Sequence, residues 1–132
     1  MLDLDACSCS GRTLTRLVRP AVMATVARGP IHGYLIARRL EQMPMFAEHP
    51  PDHAGIYRTL KAMEEEGLLV SAWDLEDSGP ARRRYELTAD GRRCLRRWQQ
   101  TIQDYHRALQ ELLGEVRQSV GRMAGSDGRA EK

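Results

Sequence analysis

The chain has little of what marks a specialised class of protein. It has one Phe among 132 residues, 5% aromatic residues in all, and three cysteines. Three is an odd number and too few for a disulfide framework, so a reducing cytoplasm is the expected setting. The longest uncharged apolar stretch, Pro20 to Ala27, falls far short of the roughly 20 residues that a membrane helix needs, and no membrane partner is expected. Met1-Leu2-Asp3-Leu4-Asp5 is acidic where a signal peptide would be basic, which argues against export. There is no Gly-rich phosphate loop, no HExxH and no triad-like grouping, so no catalytic residues and no required cofactor are expected. The balance of Lys+Arg 20 against Asp+Glu 18 leaves only +2. A total says nothing about distribution, and distribution decides whether a surface attracts polyanions.

What is present is an ordinary folded composition, 42% hydrophobic with 29% charged, at a length that suits one domain. Residues 1–12 and 121–132 are small and polar and read as a flexible N-terminal arm and a disordered tail. Between them, Leu14, Leu17, Val18, Val22 and Val26 recur at helical spacing, with Pro20 placing the regular helix near itself and Gly29-Pro30 ending it. His32 to Met43 reads as a second helix with Tyr34, Leu35, Ile36 and Leu40 inward. Pro44, Pro50 and Pro51 mark a loop. Asp52 stands as N-cap to a third helix that Gly67 closes; Ile56, Leu60 and Met63 form its buried stripe and leave Gly55, Arg58, Thr59, Lys61 and Ala62 outward. Residues 68–75 and 84–88 read as strands of a hairpin turned by Asp77-Ser78-Gly79-Pro80.

Thr88 can cap a last helix over 89–120. Along it Leu95, Trp98, Ile102, Tyr105, Leu109, Leu112 and Val116 step by 3 and 4, an a/d seam. At ~1.5 Å per residue that helix is about 48 Å long, whereas a domain of 80 residues has a radius of gyration near ~12 Å. The seam therefore calls for a second copy, which makes the chain a homodimer. The expected architecture is mainly α (α+β): a winged helix-turn-helix over 13–88 with a two-stranded wing, followed by a long C-terminal dimerisation helix.

Three motifs in order carry a family resemblance. Gly29-Pro30-Ile31-His32-Gly33-Tyr34 with Ile36, then Ile56-Tyr57, Leu60-Lys61 and Met63-Glu64-Glu65-Glu66-Gly67-Leu68, then Gly79-Pro80-Ala81-Arg82-Arg83-Arg84-Tyr85 with Leu87-Thr88 and Gly91-Arg92, resemble the PadR-like transcriptional regulators over roughly residues 16–100. The resemblance implies a prokaryotic, dimeric, operator-binding regulator, usually a repressor, whose terminal helices dimerise and often adjoin an effector site. Where that family commonly opens its recognition helix with Gly-Thr-Leu-Tyr-Pro, this chain reads Ala54-Gly55-Ile56-Tyr57-Arg58. Gly55 removes a hydroxyl and Arg58 adds a cation.

The residues point the same way. The first half of the third helix offers Tyr57, Arg58 and Lys61 to a major groove and its phosphates, with Gly55 and Thr59 beside them. Tyr57 can alternatively pack on the second helix. Arg82, Arg83 and Arg84 sit on the wing, where strand alternation turns Arg83 away from its neighbours. His32 and Tyr34 stand where the second helix would cross the backbone, though His32 can equally be a local cap. Arg92, Arg93, Arg96 and Arg97 read as solvated or paired. Trp73 is expected in the core, and Trp98 with its seam neighbours can bound a pocket for a small aromatic effector. Cys7 and Cys9 form a C-x-C pair that can hold a soft metal ion or report oxidation, completed for a metal by Cys94, His32, His49, His53 or His106. Besides the DNA-binding regulator, the sequence admits a metal- or redox-sensing regulator through Cys7 and Cys9, and a winged-helix module for protein–protein assembly.

Overall fold

A computed structural model describes residues 3–11, 16–74 and 82–130, with side chains described as far as residue 125. Its elements run α1 (Val18–Val26), β1 (Ile31–His32), α2 (Gly33–Gln42), α3 (His53–Glu65), β2 (Leu69–Asp74), β3 (Arg82–Leu87) and α4 (Ala89–Ala130). Leu14 and the expected turn 77–80 lie outside the described residues. Two compact units divide between Arg96 and Arg97, so the first turns of α4 belong to the unit that carries α1 to β3.

The core of the first unit is built from the predicted stripes. Val22, Met23 and Val26 of α1, Ile36 and Leu40 of α2, and Ile56, Leu60 and Met63 of α3 are all buried. Two corrections concern α2. Tyr34, expected inward, is exposed, and Ala37 takes the inner position that the helical repeat assigns between Ile36 and Leu40. The single Phe is also accounted for. Pro44 opens a short 3-10 turn, Pro44–Phe46, that drives Phe46 into the core from a segment whose prolines read only as loop.

Helix α3 ends as its sequence demands. The Asp52 side chain accepts from the Gly55 N–H at the start. At the other end Leu68 N–H donates to the Met63 carbonyl at 2.9 Å and Gly67 N–H to the Glu64 carbonyl at 3.1 Å, with Gly67 at φ 81. That is a Schellman closure, which requires the left-handed conformation glycine tolerates. The acidic run Glu64-Glu65-Glu66 then works as a tether: Glu66 pairs with Arg19 of α1, and Glu64 accepts from Ser71 of β2.

The sheet has one strand more than expected. Its order is β1-β3-β2, all antiparallel, with Ile31 opposite Tyr85 and His32 opposite Arg84, and Trp73 opposite Arg83. His32, which the sequence reading makes the first residue of the second helix, instead pairs in β1 and α2 starts at Gly33; two residues are too few for any period to show. Trp73, expected in the core, is 58% exposed, because β2 outruns the helices that cover its start.

Thr88 caps α4 through its hydroxyl, which accepts from Gly91 N–H at 2.9 Å and donates to the Gly67 carbonyl at 2.6 Å. Gly91 packs so closely that an added Cβ would strike the Leu68 carbonyl oxygen. α4 continues past residue 120, where the sequence reading ended it, to Ala130. Gly121 and Gly125 keep helical backbone and meet no neighbour, so glycine there does not stop the helix. Residues 3–11, read as a loose arm, form successive turns that include the 3-10 turn Ser8–Ser10. Among the described residues no helix is long and apolar enough to cross a membrane.

Two of the glycines of α4, Gly91 and Gly114, give opposite expectations. Gly91→Ala forces backbone apart and should destabilise the first unit by about 1–3 kcal/mol. Gly114→Ala, in open space, should stabilise by about 0.5–1 kcal/mol. Urea unfolding of the two variants measures both; a neutral Gly91→Ala would contradict the close junction.

Candidate nucleic-acid interface

On α3 the period that buries Ile56, Leu60 and Met63 leaves Tyr57, Arg58 and Lys61 exposed on the opposite face. Asp52 anchors the helix start beneath them. A Cβ at Gly55 would stand 2.8 Å from the Asp52 carboxylate and 3.5 Å from the Arg58 guanidinium, so glycine here makes room for the cap. Its contribution is to the helix start. Thr59 is half-buried and its hydroxyl donates to the Gly55 carbonyl at 3.0 Å, which commits it to the helix's own backbone. Among the described residues neither Arg58 nor Lys61 is in an ion pair.

Tyr57 follows both readings that its position allows. Its ring edge lies 2.9 Å from where a Cβ on Gly33 would be, so it rests on the first residue of α2, yet it remains 44% exposed. Tyr85 of β3 approaches the same point, at 3.4 Å. Burial, and after it the Glu64 carboxylate, pushes ionisation of the Tyr85 phenol above its usual range, so it stays a neutral packing group.

The three wing arginines are placed differently from one another. Arg82 donates to the Tyr34 hydroxyl at 3.0 Å with its guanidinium 5.0 Å from that ring's centre. Arg83 lies 5.1 Å over the exposed Trp73 ring, on the sheet face of Tyr85. Arg84 donates to Asp74 at 2.6 Å, and His32 Nε2 lies 3.1 Å from the same carboxylate oxygen. Thus Arg84 and His32, both read as phosphate contacts, share Asp74. This carboxylate is the residue that the sequence missed. It stands at the end of β2, and its partners Arg84 and His32 are ten and forty-two residues away along the chain. Alternation sets Arg83 on the Tyr85 face of β3, over the Trp73 ring, although Arg82 and Arg83 both reach the same groove.

Tyr34, Tyr57, Lys61, Trp73, Arg82 and Arg83 line one groove of about 660 Å³ between α3 and the wing. Stacked arginines keep their charge while losing mobility, which suits them to hold phosphate. Glu64 and Glu65 line it as well, so the groove is an aromatic-walled channel beside the exposed face of α3 in which Lys61, Arg82 and Arg83 meet two carboxylates.

The remaining candidates fall outside it. Arg93 pairs with Asp90 one turn earlier on α4. On the second unit Ile102, Tyr105, Leu109, Leu112 and Val116 are exposed and Trp98 is half-buried, as is Leu95 at the end of the first unit. Position 119 of the heptad is Ser119, and Met123 resumes the phase. Cys7, Cys9 and Cys94 are free thiols, and among the described residues no three His, Cys, Asp or Glu side chains are grouped to hold a metal ion. His32 lies against Asp74 and His53 against Glu41, so neither joins the cysteines in one chain.

Known structures share this fold. A PadR family transcription regulator from hypervirulent Clostridium difficile superposes with a TM-score of 0.65 at 21% identity, over 74% of this chain and 98% of that one. A PadR-like transcriptional regulator from Bacillus cereus gives 0.67 at 20% identity, over 77% and 96%. Bacillus subtilis PadR, solved in complex with operator DNA, gives 0.56 at 23% identity over 64% of this chain and 47% of that one. These likenesses establish the fold. No curated protein matches the chain. The sequence itself matches the family model described as "Transcriptional regulator PadR-like family" over residues 22–97, which spans α1 from its buried face to the first turns of α4. With more than half its length in that match, the chain belongs to the PadR-like family of transcriptional regulators.

Proposed function

We propose that the chain is a repressor that binds a pseudo-palindromic operator in double-stranded DNA as a homodimer, each copy setting α3 into a major groove. The observation that carries this reading is the exposed triad Tyr57, Arg58 and Lys61 on the first half of α3, with Arg58 and Lys61 outside every described ion pair. A groove lined by Arg82 and Arg83 runs alongside. A helix N-terminal half reads base edges, and flanking cations hold the phosphates. The likeness to Bacillus subtilis PadR, a protein solved on operator DNA, supports the same use of the fold.

In this reading Arg58 reads a guanine edge, and Lys61, Arg82 and Arg83 hold backbone. Arg84 and His32 act through Asp74, fixing the wing against β1. Dimerisation through α4 would set the spacing of the two α3 helices to about one turn of DNA, roughly 34–36 Å. An aromatic effector beside Trp98 and Tyr105 would release DNA only by binding one dimer geometry better than the other. The repressor sense follows from the family, and occupation of the operator is sufficient for it.

Fluorescence anisotropy on operator fragments selected from the source genome tests DNA binding. Arg58→Ala should weaken binding by roughly 5- to 150-fold and relax preference at one base pair, as loss of a bidentate base contact does. Lys61→Ala should weaken binding across sequences and lower the salt dependence by about one counterion. Unchanged affinity in a variant lacking Arg58, Lys61, Arg82 and Arg83 together would refute the interface.

The dimer is tested separately. Leu109→Glu with Leu112→Glu puts charge into the seam and should yield monomers by sedimentation at micromolar concentration, with DNA affinity reduced at least about a hundredfold because the second half-site is lost. A dimer that survives both changes would place the interface elsewhere.

A further inference from the structure

Cys7 and Cys9 take no part in the groove, and the turns that hold them bring their side chains together. The Leu4 carbonyl accepts from Cys7 N–H at 3.2 Å and from the Cys9 thiol at 3.8 Å, so both residues close onto one oxygen. Ser10 N–H donates to the Cys7 carbonyl at 3.1 Å, and Gly11, at φ 93, ends the turn with its N–H on Ser8. Within this frame Cys9 N–H donates to the Cys7 sulfur at 3.5 Å. Cys9 is exposed and Cys7 half-buried, so reagents reach the pair from solvent. These are backbone-made contacts within a nine-residue stretch, residues 3–11, and none of the three residues of the 3-10 turn is buried.

We propose that Cys7 and Cys9 are a reversible dithiol–disulfide pair that reacts with neutral hydroperoxides, Cys7 attacking and Cys9 resolving. The Cys9 N–H and then the Cys9 side chain, with Ser8 adding less, stabilise the Cys7 thiolate against the opposing effect of partial burial. Cys7 accordingly ionises below the usual thiol range. A thiolate is the reactive species, and a second thiol within reach turns a sulfenic acid into a disulfide before further oxidation. Asp3 and Asp5 lie in the same stretch of turns. Their charges disfavour anionic disulfides such as oxidised glutathione and leave a small neutral peroxide as the matching oxidant.

The chemistry closes on those atoms. The Cys7 thiolate attacks one peroxide oxygen; the O–O bond breaks, and the departing oxide takes a proton to become water or an alcohol. Cys7 is left as sulfenic acid. Cys9, having given its proton to solvent, attacks the Cys7 sulfur, the S–O bond breaks, and hydroxide leaves to become water. Two thiols have supplied two electrons to one peroxide, and an external dithiol reverses the step.

The experiment treats the reduced full chain with one equivalent of hydrogen peroxide at neutral pH, alkylates the remaining thiols, and maps them by mass spectrometry. The peptide holding Cys7 and Cys9 should lose about 2 Da and take no label, while Cys94, the internal control, stays labelled. Cys9→Ser should halt at a Cys7 sulfenic acid that dimedone captures. Cys7→Ser should leave Cys9 roughly tenfold slower. Oxidation of Cys94 at the same rate, disulfides between chains in place of the internal one, or a Cys7→Ser variant as reactive as the parent would each overturn the proposal. DNA affinity plays no part in these readouts, so the result stands apart from the operator-binding reading.

Discussion

The groove side of the molecule depends on one close approach, at Gly33. There the first turn of α2 meets Tyr57 of α3 and Tyr85 of β3 with no room for a Cβ. Two rings pressed against a bare backbone fix three elements at once: the start of α2, the face of α3 and the middle strand of the sheet. Because Tyr57 is braced from below, its neighbours Arg58 and Lys61 are held at a set angle to the wing. The next residue, Tyr34, continues the arrangement outward by accepting from Arg82. A single methyl at residue 33 would have to push the Tyr57 ring toward the groove. A Gly-Tyr pair is thus a packing requirement on one side and a wing clamp on the other.

Charge is partitioned around the same point. The total of +2 results from acids with specific local tasks. Glu66 ties the end of α3 to Arg19, Glu64 receives Ser71, and Asp74 gathers Arg84 and His32. Such exposed or half-exposed pairs contribute little stability individually, about 0–1 kcal/mol. Their larger effect is on the distribution of free cations. Among the described residues, positive charge outside an ion pair remains where α3 begins and where the groove runs, at Arg58, Lys61, Arg82 and Arg83. A chain of low net charge has weak non-specific attraction for DNA, and local contacts must then supply more of its discrimination.

Much of this was legible in the sequence, and the exceptions share a physical cause. The stripe Ile56, Leu60, Met63, the Asp52 cap, the Gly67 closure and the Thr88 cap all express local rules, and each stands where it was read. Three features did not show. β1 is two residues long and exists only because β3 offers it partners. Trp73 is apolar yet exposed, because burial depends on how far β2 outruns its cover. Asp74 pairs across strands with a residue ten positions away and a histidine forty-two away. Tertiary proximity decides all three, and no window along the chain contains it. The groove was half-read: Tyr34, Tyr57, Lys61, Arg82 and Arg83 are among the residues read as DNA contacts, but Trp73 is assigned to the core.

The long helix adds the last constraint. α4 has 42 residues, about 63 Å at ~1.5 Å per residue, and from Ile102 onward its apolar side chains are exposed. Intrinsic propensity alone leaves an isolated helix marginal in water, and most helical stability in proteins comes from packing an apolar face. The exposed set exceeds a simple seam. Leu113 and Val120 lie beside Leu112 and Val116, and Met123 carries the stripe past the Ser119 position. A stripe of a, d and e positions is wider than a two-stranded coiled coil covers and suits a helix that packs against more than one neighbour. In the proposed dimer α4 would therefore meet its twin along the a/d line and present Leu113 and Val120 to further apolar surface. That wider contact would fix the rotation of one α4 about the other. In that proposed dimer the rotation would matter for function, since it would set how far apart the two α3 helices stand.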